Sequence, residues 1–157
     1  MVNPFAIGLA YGGGALALLG GPVGSSIGIG KAGAAGASAL AEDPKQFRNV
    51  FLLASLPMTQ TFYGLIVLIQ FIARINGAAE TIDMSTGLAI LFLGLAVGGA
   101  ELFSAWLQGA ICASGISELP RTKGKITFNA LILAVYVELI GILGMVFGLL
   151  GLSLIGI

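Results

Sequence analysis

Four long runs of apolar residues, separated by short charged breaks, constrain this chain of 157 residues more than any other feature. The runs cover residues 4–41, 49–73, 84–117 and 126–157, and only Lys31, Glu101 and Glu138 place a charge inside them. Each run exceeds the roughly 20 residues that an α-helix needs to cross a bilayer. No run sustains the alternation of period two that indicates a strand. We therefore predict an all-α membrane protein with four long transmembrane helices, called spans 1 to 4.

The composition excludes several classes of protein. Only 9% of the residues are charged, and the seven basic residues balance the seven acidic ones, so nothing indicates a nucleic-acid partner. The chain has no histidine, which is the commonest general base and zinc ligand, and its single cysteine cannot form an intrachain disulfide. Nearly all of the 25 glycines lie inside the apolar runs, which favours close packing of membrane helices within a lipid bilayer.

The charged connections predict the orientation of the spans. The loops at residues 42–48 and 118–125 are rich in Lys and Arg, whereas Arg74 stands beside Glu80 and Asp83 between spans 2 and 3. Short loops rich in Lys and Arg stay on the cytoplasmic side of the membrane. We therefore expect both basic loops in the cytoplasm and both termini on the opposite side. No basic residue precedes span 1, so the sequence does not indicate a cleaved secretory signal.

A short motif occurs twice, about half the chain apart. Residues 37–45 read ASALAEDPK, and residues 113–121 read ASGISELPR. Each copy lies where an odd-numbered span ends. The repeat and the four spans together predict two duplicated hairpins. The first hairpin comprises residues 1–80 with spans 1 and 2, and the second comprises residues 81–157 with spans 3 and 4.

Glu138 is the strongest functional candidate in the chain. It is the only charged residue in the run 126–157, and a carboxylate at the centre of a membrane helix costs about 2.5–3.5 kcal/mol. With a rise of about 1.5 Å per residue, Gln60, Gln108 and Glu138 each lie about 15–18 Å from the basic-loop end of their span. Tyr63 is one turn from both Thr59 and Gln60, so these side chains can share a face. We predict one buried cation site.

Several functions remain open at this point. A proton carrier needs only the carboxyl group, whereas the hydroxyl and amide oxygens are hard ligands of the kind that an alkali cation requires. The same polar groups could instead form hydrogen bonds between helices, worth about 0.6 kcal/mol each. An independent four-helix channel or transporter is a further alternative, although the glycine-rich spans 1 and 3 disfavour a polar pore. A purely structural scaffold does not explain Glu138.

Glu101 is the other acidic residue within an apolar run. It lies two helical turns from Gln108, farther from the basic loops and on nearly the same face of span 3. One interpretation is a protonated or hydrogen-bonded acid inside an assembly. The other is part of an ion route or a second contact for a cation.

Three short motifs carry a resemblance to a known family. They are residues 56–64, LPMTQTFYG; residues 107–109, LQG; and residues 137–139, VEL, followed by ILG at residues 142–144. With the two hairpins, they resemble the 16-kDa proteolipid, the rotor-ring c or K subunit of V-type ATPases. They are most similar to its bacterial sodium-translocating branch.

The resemblance implies a site, an ion and a set of partners. The ion would be Na⁺, or alternatively H⁺, carried across a bacterial cell membrane by a homo-oligomeric ring. A stator subunit would supply an arginine, and central-stalk subunits would contact the cytoplasmic loops. ATP hydrolysis would occur in other subunits, so this chain is not expected to be an enzyme. The implied Na⁺ ligands are the backbone carbonyl of Leu56 and the side chains of Thr59, Gln60, Gln108 and Glu138, with Tyr63 as a hydrogen-bond donor to Glu138.

Overall fold

The computed structural model describes residues 3–157 and confirms the four predicted membrane-spanning helices. Span 1 is one α-helix, Pro4–Glu42, span 3 is Met84–Ser117, and span 4 is Thr127–Ile155. A short helix, Leu119–Thr122, lies in the loop between spans 3 and 4. The part of the chain that the structure describes contains no β-strand.

Span 2 differs from its prediction in both length and regularity. It begins at Phe47 and ends at Gly77, so the predicted range 49–73 is too short at both ends. Arg74 does not end the helix because its Nη1 reaches the carbonyl oxygen of Ile157, at 2.8 Å, at the end of the bundle. The span contains a 3₁₀ turn, Leu56–Met58, because Pro57 lacks the N–H that a regular α-helix uses at that position.

Side-chain caps stabilise the starts of spans 1 and 3. The Oδ1 atom of Asn3 accepts hydrogen bonds from the N–H groups of Phe5 and Ala6 at the start of span 1. Asp83 accepts one from the N–H of Thr86 at 2.8 Å at the start of span 3. The first N–H groups of a helix have no partner within it, so these caps stabilise both starts.

The two basic loops meet at one end of the bundle. Gly124 has a φ of 81°, and a Cβ there would lie 2.7 Å from Asn49 Nδ2 and 2.9 Å from Gln46 Oε1. At the other end, Tyr11 forms a hydrogen bond with Asn76. Both loops therefore lie at one end, away from the connection between spans 2 and 3. Which end faces the cytoplasm stays a prediction.

Spans 1 and 3 pack backbone against backbone along most of their length. A Cβ on Gly20 would overlap the carbonyl group of Gly98, and one on Gly94 would overlap the carbonyl group of Gly13. Spans 2 and 4 flank this pair, and span 4 packs mainly on span 3. Glycine is needed here because any larger residue would force the two backbones apart.

Two apolar clusters fill the bundle, one near each end. Polar side chains occupy the layer between them in spans 2 and 3 and are almost fully buried: Gln60, Glu101, Ser104 and Gln108. The cluster near the termini includes Val67, Phe71, Ile90 and Val97, and the cluster near the basic loops includes Leu53, Cys112, Ile116 and Ala134. The candidate site therefore lies at mid-height in the bundle.

Candidate ion-binding site

The carboxylate of Glu138 receives hydrogen bonds from two other spans. The hydroxyl of Tyr63 in span 2 donates to Oε1 at 2.9 Å. The Nε2 of Gln108 in span 3 donates to Oε2 at 3.2 Å. Each carboxylate oxygen thus has one donor, which fixes the orientation of the side chain between spans 2 and 3.

Gln60 extends this network into the centre of the bundle. Its Nε2 donates to Gln108 Oε1 at 3.0 Å and to Ser104 Oγ at 3.0 Å. Gln60 and Gln108 are both 0% exposed. The structure thus brings together the three polar side chains that the sequence placed at one depth, and each buried amide has partners, as buried amides require.

A cluster of three oxygens lies beside this network in span 2. The hydroxyl oxygen of Thr59 is 3.1 Å from the carbonyl oxygen of Leu56 and 3.2 Å from Gln60 Oε1. A hydroxyl has one proton, so it can donate to only one of these two acceptors at a time. The 3₁₀ turn caused by Pro57 shapes the backbone that presents the Leu56 carbonyl.

The orientation of Gln108 differs from that of an oxygen ligand. Its Nε2 faces the Glu138 carboxylate, while its Oε1 accepts the bond from Gln60. In this arrangement Gln108 stabilises a negative carboxylate by donation. Contact between Gln108 Oε1 and a cation at Glu138 would require the amide group to turn over.

Ser104 and Gly141 belong to the site, although neither is among the residues predicted from the sequence. Ser104 Oγ accepts from Gln60 and donates to the carbonyl oxygen of Val137 at 2.9 Å, which ties span 3 to span 4. A Cβ on Gly141 would lie 3.1 Å from Ser104 Oγ. The available signal for Ser104 was its spacing of one turn before Gln108, on the same face of span 3.

Glu101 lies outside the hydrogen-bonded network. It is 0% exposed, and neither carboxylate oxygen has a hydrogen-bond partner among residues 3–157. Both interpretations from the sequence, an acid held inside an assembly and a contact for a moving ion, remain compatible with this position.

Comparison with known proteins identifies the family. The family of the ATP synthase C subunit matches residues 5–71 and 91–151, which cover most of all four spans. This chain belongs to that family. It is 35% identical over 126 residues to the V-type sodium ATPase subunit K of Enterococcus hirae, across 79% of this chain and 77% of that protein. It is 32% identical over 131 residues to the A-type ATP synthase subunit K of Methanocaldococcus jannaschii, across 78% of this chain and 59% of that protein.

The family membership confirms the resemblance drawn from the motifs. The chain is a c/K proteolipid of the V- and A-type ATPases, and it is a multi-pass membrane protein. Members of the family are rotor-ring subunits that translocate ions and do not catalyse a reaction. The division into hairpins 1–80 and 81–157 stays a prediction.

Proposed function

We propose that this subunit binds Na⁺ at Glu138 and carries it across the membrane as a homo-oligomeric ring rotates, driven by ATP hydrolysis in other subunits. The oxygen cluster of Thr59, Leu56 and Gln60, which joins Glu138 through Gln108, is the observation that carries this proposal. The name of the Enterococcus hirae relative, a sodium ATPase subunit, supports the choice of ion.

The proposed ligands are the Leu56 carbonyl and the side chains of Thr59, Gln60, Gln108 and Glu138. Without an ion, one of the two oxygen–oxygen contacts of Thr59 has no proton to share, and a cation would remove that conflict. Binding would turn the Gln108 amide so that its oxygen faces the ion. Tyr63 would keep its bond to Glu138 and hold the carboxylate in place.

Charge balance explains how a loaded site could pass through lipid. One carboxylate and one monovalent cation are neutral together, whereas an empty carboxylate is costly to expose to hydrocarbon. A stator subunit with an arginine would replace the ion at Glu138 and so release it. The first hairpin has no acid inside its apolar runs, so the two hairpins share one transported ion.

The remaining parts of the proposal concern placement. The two basic loops lie at one end of the bundle, which supports contact of both with central-stalk subunits on the cytoplasmic side. The termini would then lie on the opposite side of a bacterial cell membrane. The hairpins 1–80 and 81–157 would act as duplicated units, each with one span inside the ring and one outside.

A proton-translocating ring is the alternative with a specific observation in its favour. Tyr63 and Gln108 already give each oxygen of Glu138 a hydrogen bond without a cation. An independent channel is less well supported, because spans 1 and 3 pack backbone against backbone and leave no polar path between them.

Carbodiimide labelling of the purified ring tests the choice of ion. The reagent reacts with the protonated acid, and peptide mapping assigns the adduct to Glu138. If the site carries sodium, Na⁺ blocks this adduct and K⁺ at equal ionic strength does not. Labelling that depends on pH but not on Na⁺ would refute the sodium proposal and leave the proton ring.

Two threonine variants test the ligand set with a matched control. Thr59→Val removes the hydroxyl of the oxygen cluster while keeping the shape of the side chain, so it should weaken protection by Na⁺. Thr61→Val removes a hydroxyl that donates to Ser25 Oγ in span 1, at 2.9 Å, outside the oxygen cluster. In this variant Na⁺ should protect Glu138 as well as it does in the unmodified ring. Equal protection in both variants would exclude Thr59 as a ligand.

A further inference from the structure

Glu101 is a buried acid that the transport site does not use. Its side chain is 0% exposed, and neither of its oxygens forms a hydrogen bond with any described residue, including Gln60, Gln108 and Glu138. Native structures rarely leave a buried polar group without a partner, and each such group calls for a specific explanation.

The carboxyl group of Glu101 occupies space that two glycines of span 4 leave open. A Cβ on Gly141 would lie 2.8 Å from Glu101 Oε2, and a Cβ on Gly144 would lie 3.8 Å from Oε1. Gly141 follows Glu138 by about one helical turn. The two acids therefore lie on facing spans, about one turn apart along the bundle.

No basic side chain of the described chain neutralises Glu101. The Nζ of Lys31 lies over the ring of Trp106, 5.1 Å from its centre, and Arg74 bonds to the carbonyl of Ile157 at the end of the bundle. Among residues 3–157, the one salt bridge joins Arg121 to Glu118 in a loop. An ionised Glu101 would thus be a buried charge without a counter-ion, which is strongly disfavoured.

The surroundings of Glu101 fit a proton and do not fit a metal cation. A sodium ion needs several oxygen ligands in place of its water. No oxygen or nitrogen of the described residues forms a hydrogen bond with the Glu101 carboxyl group, and the hydroxyl of Ser104, one turn along the same span, donates to the Val137 carbonyl and accepts from Gln60, which leaves it at most one lone pair to offer. A proton needs only the carboxyl group itself.

We propose that Glu101 is a second ion-binding carboxyl group and that its ion is a proton, which it holds while Glu138 binds the transported ion. Each copy of the chain then holds two ions with different roles. The proton at Glu101 limits this part of the bundle to a single negative charge, which one monovalent cation at Glu138 can balance. This role of Glu101 is the same whether Glu138 carries Na⁺ or H⁺.

Infrared spectroscopy of the purified ring tests this directly, because a protonated carboxylic acid has a carbonyl-stretch band that an ionised carboxylate lacks. The ring is prepared with Glu138→Gln, which leaves Glu101 as the only acid inside the apolar runs. At neutral pH we expect a band of a protonated acid that saturating Na⁺ does not remove. The band should disappear when Glu101→Gln is added. It should persist when Glu118→Gln is added instead, since that change removes an exposed loop carboxylate.

Two results would overturn the inference. The first is the absence of the band from the Glu138→Gln ring. This measurement needs only the single variant, so it holds even if the ring with both Glu138→Gln and Glu101→Gln fails to assemble. The second is loss of the band on addition of Na⁺ but not of choline, which would make Glu101 a ligand of a metal cation. Neither result would bear on the ion specificity of Glu138, because both are measured with that residue replaced.

Discussion

Replacement of Tyr63 by phenylalanine gives the sharpest test of the Glu138 site. The change removes one hydroxyl, and with it the 2.9 Å hydrogen bond to Oε1 of Glu138, while the ring stays in place. Hydrogen bonds to charged groups contribute about 1.5–3 kcal/mol. A hydroxyl donates a stronger bond to the carboxylate that holds the cation than to the protonated acid that reacts with carbodiimide, so loss of the bond should weaken apparent cation affinity. Because both side chains are only partly buried, we take a value at the lower end, about 1.5 kcal/mol, which corresponds to roughly a tenfold loss.

The assay is the Na⁺ concentration that half-protects Glu138 from carbodiimide at fixed pH. Tyr136→Phe is the matched control, because Tyr136 lies two residues before Glu138 in span 4 but is 66% exposed. We expect the half-protecting concentration to rise about tenfold for Tyr63→Phe and to stay constant for Tyr136→Phe. If the two variants behave alike, the bond between Tyr63 and Glu138 does not contribute to ion binding, and Tyr63 does not hold the carboxylate for the ion.

Three further predictions concern stability, measured as loss of helical circular dichroism of the detergent-solubilised ring on titration with a denaturing detergent or on heating. Gly98→Ala should destabilise the ring by about 1–3 kcal/mol, because the added Cβ would overlap the backbone of span 1. Gly99→Ala should leave the stability unchanged, because no atom of another span lies within 4 Å of its added Cβ. Equal stability of the two variants would contradict the close packing of spans 1 and 3. Ser104→Ala should lower the stability of the ring by about 1 kcal/mol, because it removes the hydroxyl that links spans 2, 3 and 4. Ser114→Ala is the control, since it removes only a hydrogen bond within its own helix. If Ser104→Ala loses no more stability than Ser114→Ala, the link does not stabilise the bundle. Asp83 accepts hydrogen bonds from the N–H and the side chain of Thr86 and from the side chain of Ser85, and these bonds lower the pKa of Asp83 from 3.8 to about 2. The stability that the ionised Asp83 contributes is therefore present above pH 3.8 and is lost as the pH falls through about 2. Asp83→Ala should therefore be less stable than the unmodified ring at neutral pH. The difference should shrink as the pH falls towards 2, where about half of Asp83 is still ionised in the folded ring, and should vanish about one pH unit lower; a difference that stays constant over this range would contradict this.

The number and kind of helices could be predicted from the sequence because the bilayer imposes a simple length rule. Four apolar runs longer than about 20 residues leave one arrangement of secondary structure, and the structure has it. The ends of span 2 could not be predicted as well. Arg74 looks like a break in hydropathy, but its long side chain reaches the bundle end and lets the helix continue to Gly77.

Much of the polar site could also be anticipated. The rise per residue placed Gln60, Gln108 and Glu138 at one depth, and the structure joins them by hydrogen bonds. The spacing of Ser104 from Gln108 placed it on the same face of span 3, but its partners in spans 2 and 4 could not be anticipated, because a serine in a membrane helix has many possible partners.

The sequence by itself determined that this chain is a four-helix membrane proteolipid of the V- and A-type ATPases, with one acid deep in span 4 and another in span 3. Those properties follow from hydropathy, length and local motifs, which are read along a single helix. Only the tertiary structure decided which side chains meet across helices. In the folded bundle, Glu138 of span 4 has two hydrogen-bond donors, Tyr63 of span 2 and Gln108 of span 3. Glu101 of span 3 instead packs against Gly141 of span 4 and has no hydrogen-bond partner among the described residues. Rotation of a helix by one residue, about 100°, would change every such pair without altering the hydropathy of the chain.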